Sequence, residues 1–350
     1  MDLQAVERFA ETVAVDQARS TAGALAYIGD RLGLWAALAG SGPVTSRELA
    51  ELTGLHERYL REWLATETAA GYLTYDPDSA RFSLPAEHAA VLADESSPAA
   101  LAGGFESIAA FWAVADRIAD GFRSGQGVAW NEQDPRLFSG VDRFFTPLYQ
   151  RSLTTEWLPA LEATVAALER GGRVLDVGAG FGTSSILMAQ AYPRSTFHGI
   201  DPHQGSILRA RDAATKAGVA HRVTFAVGTG LDDVGTGWDL ITFFDAFHHV
   251  GDPFAVARRA RQSLAADGAL MLVEPRAADR LEDNLNLVGL TYYGASTLVC
   301  VSDALAQDGA TALGGQAGPG RLREVLTEAG FTRVRSAIET PFNLVVEARP

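Results

Sequence analysis

Residues Val174 to Ser185 read VLDVGAGFGTSS. A short apolar run ends around the acid Asp176, and glycine then takes every second position: Gly178, Gly180 and Gly182. Such a loop lets the backbone pass close beneath a nucleotide-like ligand, because no side chain stands in the way. A phosphate-gripping P-loop would need a Gly-Lys-Ser/Thr ending, and no lysine occurs here. A dinucleotide fingerprint, G-x-G-x-x-G, is not matched either: the third glycine comes one position early and Thr183 fills the expected slot. Asp201 closes STFHGID, 19 residues after Gly182, where a carboxylate could accept from two ribose hydroxyls. Taken alone, the glycines also read as an ordinary tight strand-to-helix turn.

A second group of reactive side chains lies further on. FFDAFHHVGDP carries Phe244, Asp245, His248 and His249, and LMLVEP ends at Glu274 shortly before Arg276. An imidazole titrating near neutrality can take a proton from a substrate; it can equally line or pack a pocket. Glu274 reads as a cap for the next segment or as a substrate ligand, and Arg276 as its partner or as a binder of acidic groups.

These residues need a frame to hold them. From Arg173 onward, strand and helix patterns alternate: RVLDVGAG, STFHGID, RVTFAVG, DLITFFDA and ALMLVEP are strands, with helical stretches among them. PFAVARRARQSLAADG reads as one such helix. FTRVRSAIE and FNLVVEAR sit too close for a crossover and should pair antiparallel. The fold class is α/β: a doubly wound, Rossmann-like, seven-stranded sheet. Ahead of it, Gly23 to Gly40 reads as a helix, SRELAELTGL as a second capped by Ser46, and HERYLREWLATETAAGYL as a third with Tyr59, Leu60, Trp63 and Leu64 on one side. TYDPDSARFSL then reads as a hairpin around Asp76-Pro77-Asp78-Ser79. The expected division is 1–95, a winged-helix and dimerisation domain; 96–165, a helical linker forming part of the substrate pocket; and 166–350, the sheet domain.

From Arg173 to the C-terminus the sequence resembles the class I S-adenosylmethionine-dependent methyltransferases, on DVGAGFG, GID, FAVGTG, FFDAFHHVGDP and the terminal hairpin. The resemblance implies S-adenosyl-L-methionine as cofactor. It implies that Gly178, Gly180 and Gly182 let the backbone approach the methionine end, with Asp176 organising the loop. Asp201 would hold the ribose hydroxyls and Pro202 and His203 would border the adenine. Gly228, Thr229 and Gly230, with Phe244 and Asp245, would complete the cofactor site; Asp232 and Asp233 are alternatives for the adenine amino group. With the front half included, the chain is similar to two-domain small-molecule O-methyltransferases. In those a base histidine follows the fourth strand, which implies His248 here; His249 stands where an acid and Val250 where a tryptophan is usual.

The expected activity is O-methylation of a secondary metabolite, with His248 and His249 at the catalytic position. Relatives that methylate α-keto acids at carbon with a metal use a histidine here and a second one in the later insertion. The insertion 282–320 has no histidine. Asp245 and Glu274 remain as donors, but adjacent histidines on extended backbone point apart, so no bound metal is expected. Phe111, Trp112, Phe145, Tyr149, Trp157, Tyr292 and Tyr293 are the aromatic candidates for an acceptor pocket.

Composition narrows the partners. The 350 residues are 47% apolar and carry a formal charge of −14, which repels phosphate backbones and anionic lipid. Residues 1–95 hold 7 arginines against 15 acids, a formal −8. A winged helix that reads DNA would make the chain a cofactor-sensing regulator; the charge favours a structural, dimerising role, and nucleic acid is disfavoured as a partner. One cysteine, Cys300, rules out an intrachain disulfide. The acidic start lacks the pattern of a signal peptide and no run is long enough for a membrane helix, so the expectation is a cytoplasmic homodimer.

Overall fold

The computed structural model describes residues 1–231, 234–307 and 311–350. They form two compact units, 1–109 with 139–147, and 110–138 with 148–350.

In the first unit a 29-residue helix, Leu3–Arg31, leads into Leu34–Ser41. The apolar spacing from Gly23 to Gly40 reads as one helix, but the chain breaks at Gly33, whose φ of +70° is a left-handed conformation that stops a helix. The break lets Trp35 turn back and donate its indole N–H to the Ala26 carbonyl at 3.1 Å. Trp63 donates to the Leu25 carbonyl at 2.9 Å, and the two indoles pack with centroids 4.8 Å apart. Helix Ser46–Thr53 is capped by Thr45, not Ser46: the Thr45 hydroxyl takes the Glu48 N–H and Glu48 takes the Thr45 N–H, a reciprocal capping box. Ser46 is free to bond Glu57 at 2.5 Å.

Helix Glu57–Ala69 buries Leu60, Trp63 and Leu64, while Tyr59, expected beside them, is 82% exposed. Arg58 and Arg61 bond Glu62 and Glu57 of the same helix, at 2.5 and 2.8 Å. Glu67, on this helix, is fully buried, neither carboxylate oxygen has a partner, and burial pushes its carboxyl up to about 7. The hairpin of β1 (Thr74–Asp76) and β2 (Arg81–Ser83) turns on Asp76, which accepts the Asp78 N–H at 3.1 Å. Arg143 ties the unit together by reaching Asp30, Glu95 and Glu106.

The second unit is built on seven strands: β3 (Arg173–Val177), β4 (Thr196–Asp201), β5 (Val223–Val227), β6 (Trp238–Phe244), β7 (Leu264–Pro275), β8 (Arg333–Glu339) and β9 (Asn343–Arg349). Their order is β5-β4-β3-β6-β7-β9-β8. The first five run parallel, and β9 enters antiparallel between β7 and β8. The helix read through Gly268 stops at Ser263, because Leu264 pairs with Trp238 and the strand claims Leu264–Gly268; sheet pairing overrides helical propensity there. Leu175, Ile241, Phe243, Phe247, Leu270 and Leu272 anchor the core under helices Pro253–Ser263 and Gly318–Glu328. β3 has β4 on one side and β6 on the other, so the chain leaves their carboxyl ends in opposite directions and a crevice opens there. Among the described residues no helix is long and apolar enough to cross a membrane.

Candidate functional site

The glycine loop leaves the carboxyl end of β3 and enters helix Thr183–Ala191. A side chain on Gly178 would put its Cβ 2.6 Å from the Ala246 Cβ, so the β3 and β6 loops meet closely only because this residue is glycine. Gly180 has φ +52° and faces open space, with no protein atom within 4 Å of where a Cβ would stand. Asp176 lies beneath, fully buried. It accepts from the Ser184 and Ser185 hydroxyls at 2.6 and 2.7 Å and from Thr242 at 2.9 Å, binding loop, helix start and β6 together. Burial pushes its carboxyl upward against these bonds.

Asp201, at the end of β4, is 4% exposed. Its oxygens take the Gly180 N–H at 3.0 Å and the His203 N–H at 2.8 Å, and burial raises its pKa to about 6. A carboxylate has about four acceptor sites, so these two bonds leave room for two hydroxyls. Pro202 follows, and His203 caps helix Gln204–Lys216 by accepting the Ser206 N–H at 3.1 Å. Gly228 donates to the Asp201 carbonyl at 3.1 Å, bringing the Gly228-Thr229-Gly230 turn beside it. Asp232 and Asp233 lie outside the described residues.

After β6 the backbone turns sharply. Asp245 has φ +48°, a strained conformation for a residue with a side chain. It accepts from the Tyr149 hydroxyl at 3.2 Å and from the Asn343 amide at 3.0 Å. Burial, then the charge of Glu274, pushes its carboxyl up to about 8. Phe247–His249 is a 3-10 turn, so the adjacent imidazoles do not point apart as extended backbone would require; their centroids are 4.5 Å apart. His248 Nδ1 meets Glu274 at 2.6 Å, and the other Glu274 oxygen takes the Phe247 N–H at 3.1 Å. Glu274 thus backs the histidine and fixes the turn. Arg276 does not pair with it; it reaches Glu339 at 3.5 Å and the Thr340 carbonyl at 3.1 Å.

His249 Nδ1 lies 3.3 Å from Asp303, and Cys300 touches both imidazoles. Burial alone would hold the imidazoles neutral, but Glu274 keeps His248 well above its ordinary value and Cys300 holds His249 at about 9. Burial would likewise raise the thiol, yet the two histidines bring it down to about 6.

Several neighbours carry no local signal in the sequence. Phe138 stacks on His203 at 3.9 Å, and Trp130 lies 5.4 Å from Phe138 and 5.3 Å from His249, so an aromatic run links His203 to His249. Cys300, Asp303 and Asn343 arrive from the insertion and from β9. Of the aromatics expected near an acceptor, Trp112 is 72% exposed and Trp157 is wholly in the core. Tyr149 and Tyr292 are the two beside Asp245, and the buried Tyr292 hydroxyl has no partner. An open glycine cradle, a buried carboxylate with spare acceptor sites and an orphaned hydroxyl fit a polar nucleoside ligand such as S-adenosylmethionine.

Comparison with known proteins agrees with this fold. Residues 20–94 match the Rv2258c-like winged HTH domain, and residues 149–306 match a family described as a methyltransferase domain. The mitomycin biosynthesis 6-O-methyltransferase of Streptomyces lavendulae is 25% identical over 269 residues, 71% of this chain and 74% of that one. Among solved structures, mitomycin 7-O-methyltransferase MmcR superposes with a TM-score of 0.75 at 19% identity, covering 99% of this chain and 100% of that one. A structure of PigF with SAH gives a TM-score of 0.71 at 17% identity, with 100% of both chains covered. The two solved structures speak for the fold, the domain matches for its type: the chain joins a winged helix-turn-helix domain to a class I S-adenosylmethionine-dependent methyltransferase domain.

Proposed function

We propose that this chain methylates a hydroxyl group of a flat, largely apolar secondary metabolite. The observation that carries the reading is the 2.6 Å contact between Glu274 and His248, in the loop that meets the glycine loop where Ala246 packs on Gly178. Bound there, S-adenosylmethionine supplies a methyl group already activated on a sulfonium. The protein itself must then align the acceptor and help remove its proton. Gly178, Gly180 and Gly182 would lie under the methionine end, Asp201 would hold the ribose, and Pro202, His203 and the Gly228-Thr229-Gly230 turn would border the adenine. Asp176 organises this loop from below, and Phe244 and Asp245 close the side facing the acceptor. His248 is the position at which the hydroxyl loses its proton, with Glu274 fixing the ring and His249 beside it; because Glu274 holds that imidazole above its ordinary value, it takes the proton only where alkaline pH has made the ring neutral. Trp130, Phe138 and Tyr149 give the segment 96–165 its share of the acceptor chamber.

His248→Ala should lower kcat toward a phenolic acceptor about a hundredfold, the low end of the range for general acid–base help, while calorimetry finds S-adenosylmethionine affinity unchanged. Full turnover in that variant would mean that proximity alone suffices.

We also infer a homodimer through the domain 1–95. Leu3, Val6, Phe9 and Val13 form one stripe on the first long helix and are 38–72% exposed, a face that a second copy of the chain would cover. Sedimentation should find a dimer that Phe9→Glu dissociates; a monomeric parent protein would end this reading. The single cysteine, Cys300, is buried and has no possible disulfide partner within the chain, which suits the reducing cytoplasm.

A further inference from the structure

Proton removal by His248 makes no use of three groups beside it, the half-buried His249 and the buried Cys300 and Asp303. Their arrangement is specific. The 3-10 turn sets His248 and His249 side by side, and Cys300 closes the π turn Ser296–Cys300 opposite them. One donor atom from each of His248, His249 and Cys300 lies within 4.8 Å of the other two. Each imidazole is bound at Nδ1 by a carboxylate, His248 by Glu274 at 2.6 Å and His249 by Asp303 at 3.3 Å. Both carboxylates are anchored by backbone: Glu274 takes the Phe247 N–H, and Asp303 takes the Trp130 N–H at 2.8 Å. Carboxylates that hold one ring nitrogen and leave the other free are the usual outer partners of metal-binding histidines.

We infer that His248, His249 and Cys300 bind a divalent late first-row metal ion, with Glu274 and Asp303 as its outer carboxylates. Two imidazoles and a thiolate form a borderline-soft donor set. It selects Zn²⁺ and its neighbours over Mg²⁺ or Ca²⁺, which prefer oxygen. Three protein ligands leave a fourth tetrahedral position open to an oxygen ligand. This inference rests on the reading of the cluster as the place where the acceptor hydroxyl loses its proton. It changes the part played by His248 there from base to ligand, and gives Cys300 a reason to be buried between two histidines.

The test uses the full chain, stripped with a chelator and then titrated with Co²⁺ alone and with Zn²⁺ alone. The expected result is one equivalent of either ion, with Co²⁺ giving visible d–d bands and a thiolate-to-cobalt charge-transfer band in the near ultraviolet. Cys300→Ser should remove the charge-transfer band, and Asp303→Asn should weaken Zn²⁺ binding by about tenfold or more. Circular dichroism of each variant checks that it is folded, and His249→Gln serves as a second ligand variant if Cys300→Ser is not. Failure of the stripped chain to bind an equivalent of Co²⁺, or a charge-transfer band that persists without Cys300, would overturn the site. If hydroxyl methylation depends on His248 while no ion binds, the metal inference alone fails. If the ion binds and no hydroxyl is methylated, the metal site stands and the proposed activity falls.

Discussion

Asp201→Ala is expected to weaken S-adenosylmethionine binding by two to three orders of magnitude in calorimetry, about 3–4 kcal/mol. The carboxylate sits almost wholly out of water at the end of β4. Hydrogen bonds to a charged group contribute roughly 1.5–3 kcal/mol each, and two ribose hydroxyls would make two of them. The substitution also frees the Gly180 and His203 N–H groups that Asp201 now holds at 3.0 and 2.8 Å, so the loop loses its anchor together with the ligand. Asp201→Asn is the sharper control: it keeps the shape but turns an NH₂ toward one of those two N–H donors. Because burial raises the Asp201 pKa to about 6, affinity should hold above that pH and decline below it as the acceptor becomes protonated. Unchanged affinity in the alanine variant would remove Asp201 from the cofactor site.

Glu67→Gln should stabilise the first unit at pH 8 by about 3 kcal/mol and leave it nearly unchanged at pH 4. Glu67 is fully buried with both oxygens unpaired, and its folded pKa is raised from 4.5 to about 7 by burial. The folded state therefore holds the proton more tightly than the unfolded chain. That contribution to stability is fully present below pH 4.5 and is lost as the pH rises through 7. One pKa unit corresponds to about 1.36 kcal/mol, and the linkage relation turns the raised value into a falling stability between those limits. Glutamine keeps the volume and never ionises. Urea unfolding followed across pH 4 to 8 should show the two proteins diverging only at the alkaline end. Parallel curves throughout would mean that the carboxylate finds a partner or water in solution.

The parts of the molecule that obey a period or a spacing are legible in the sequence. Most parallel strands of the main sheet are separated by helices at crossover length, so β3 to β7 and the antiparallel pair are visible there, as are the glycine loop, Asp201 and the histidine pair. Local backbone detail is less so. The break at Gly33 and the shift of a cap from Ser46 to Thr45 depend on which carbonyls and N–H groups find partners, and residue type alone does not decide that. The site's composition is the least legible. Phe138, Asp303 and Asn343 come from segments with no chemical motif, and only the fold carries them to His203, His249 and Asp245. Cys300 stands out in the sequence for the disulfide it cannot form, not for the histidines it touches. The orientation of His248 and His249 turns on a single 3-10 turn, which an extended reading of the same residues cannot foresee.

β9 follows β8 in the chain but lies inside it in the sheet, bonded to β7 on one flank and β8 on the other, with every residue buried. During translation, then, β8 leaves the ribosome before the strand it pairs with. The hydrophobic flank of β7 stays open until the keystone strand threads into its slot. Asn343, which steadies Asp245 and touches the Glu274 carbonyl, rides on that strand. A nascent chain stalled or clipped just short of it would thus present a raw, sticky sheet margin to chaperones and proteases, and would lack one support of the Asp245 turn. Closure of the sheet and completion of the candidate site are tied to the same late event.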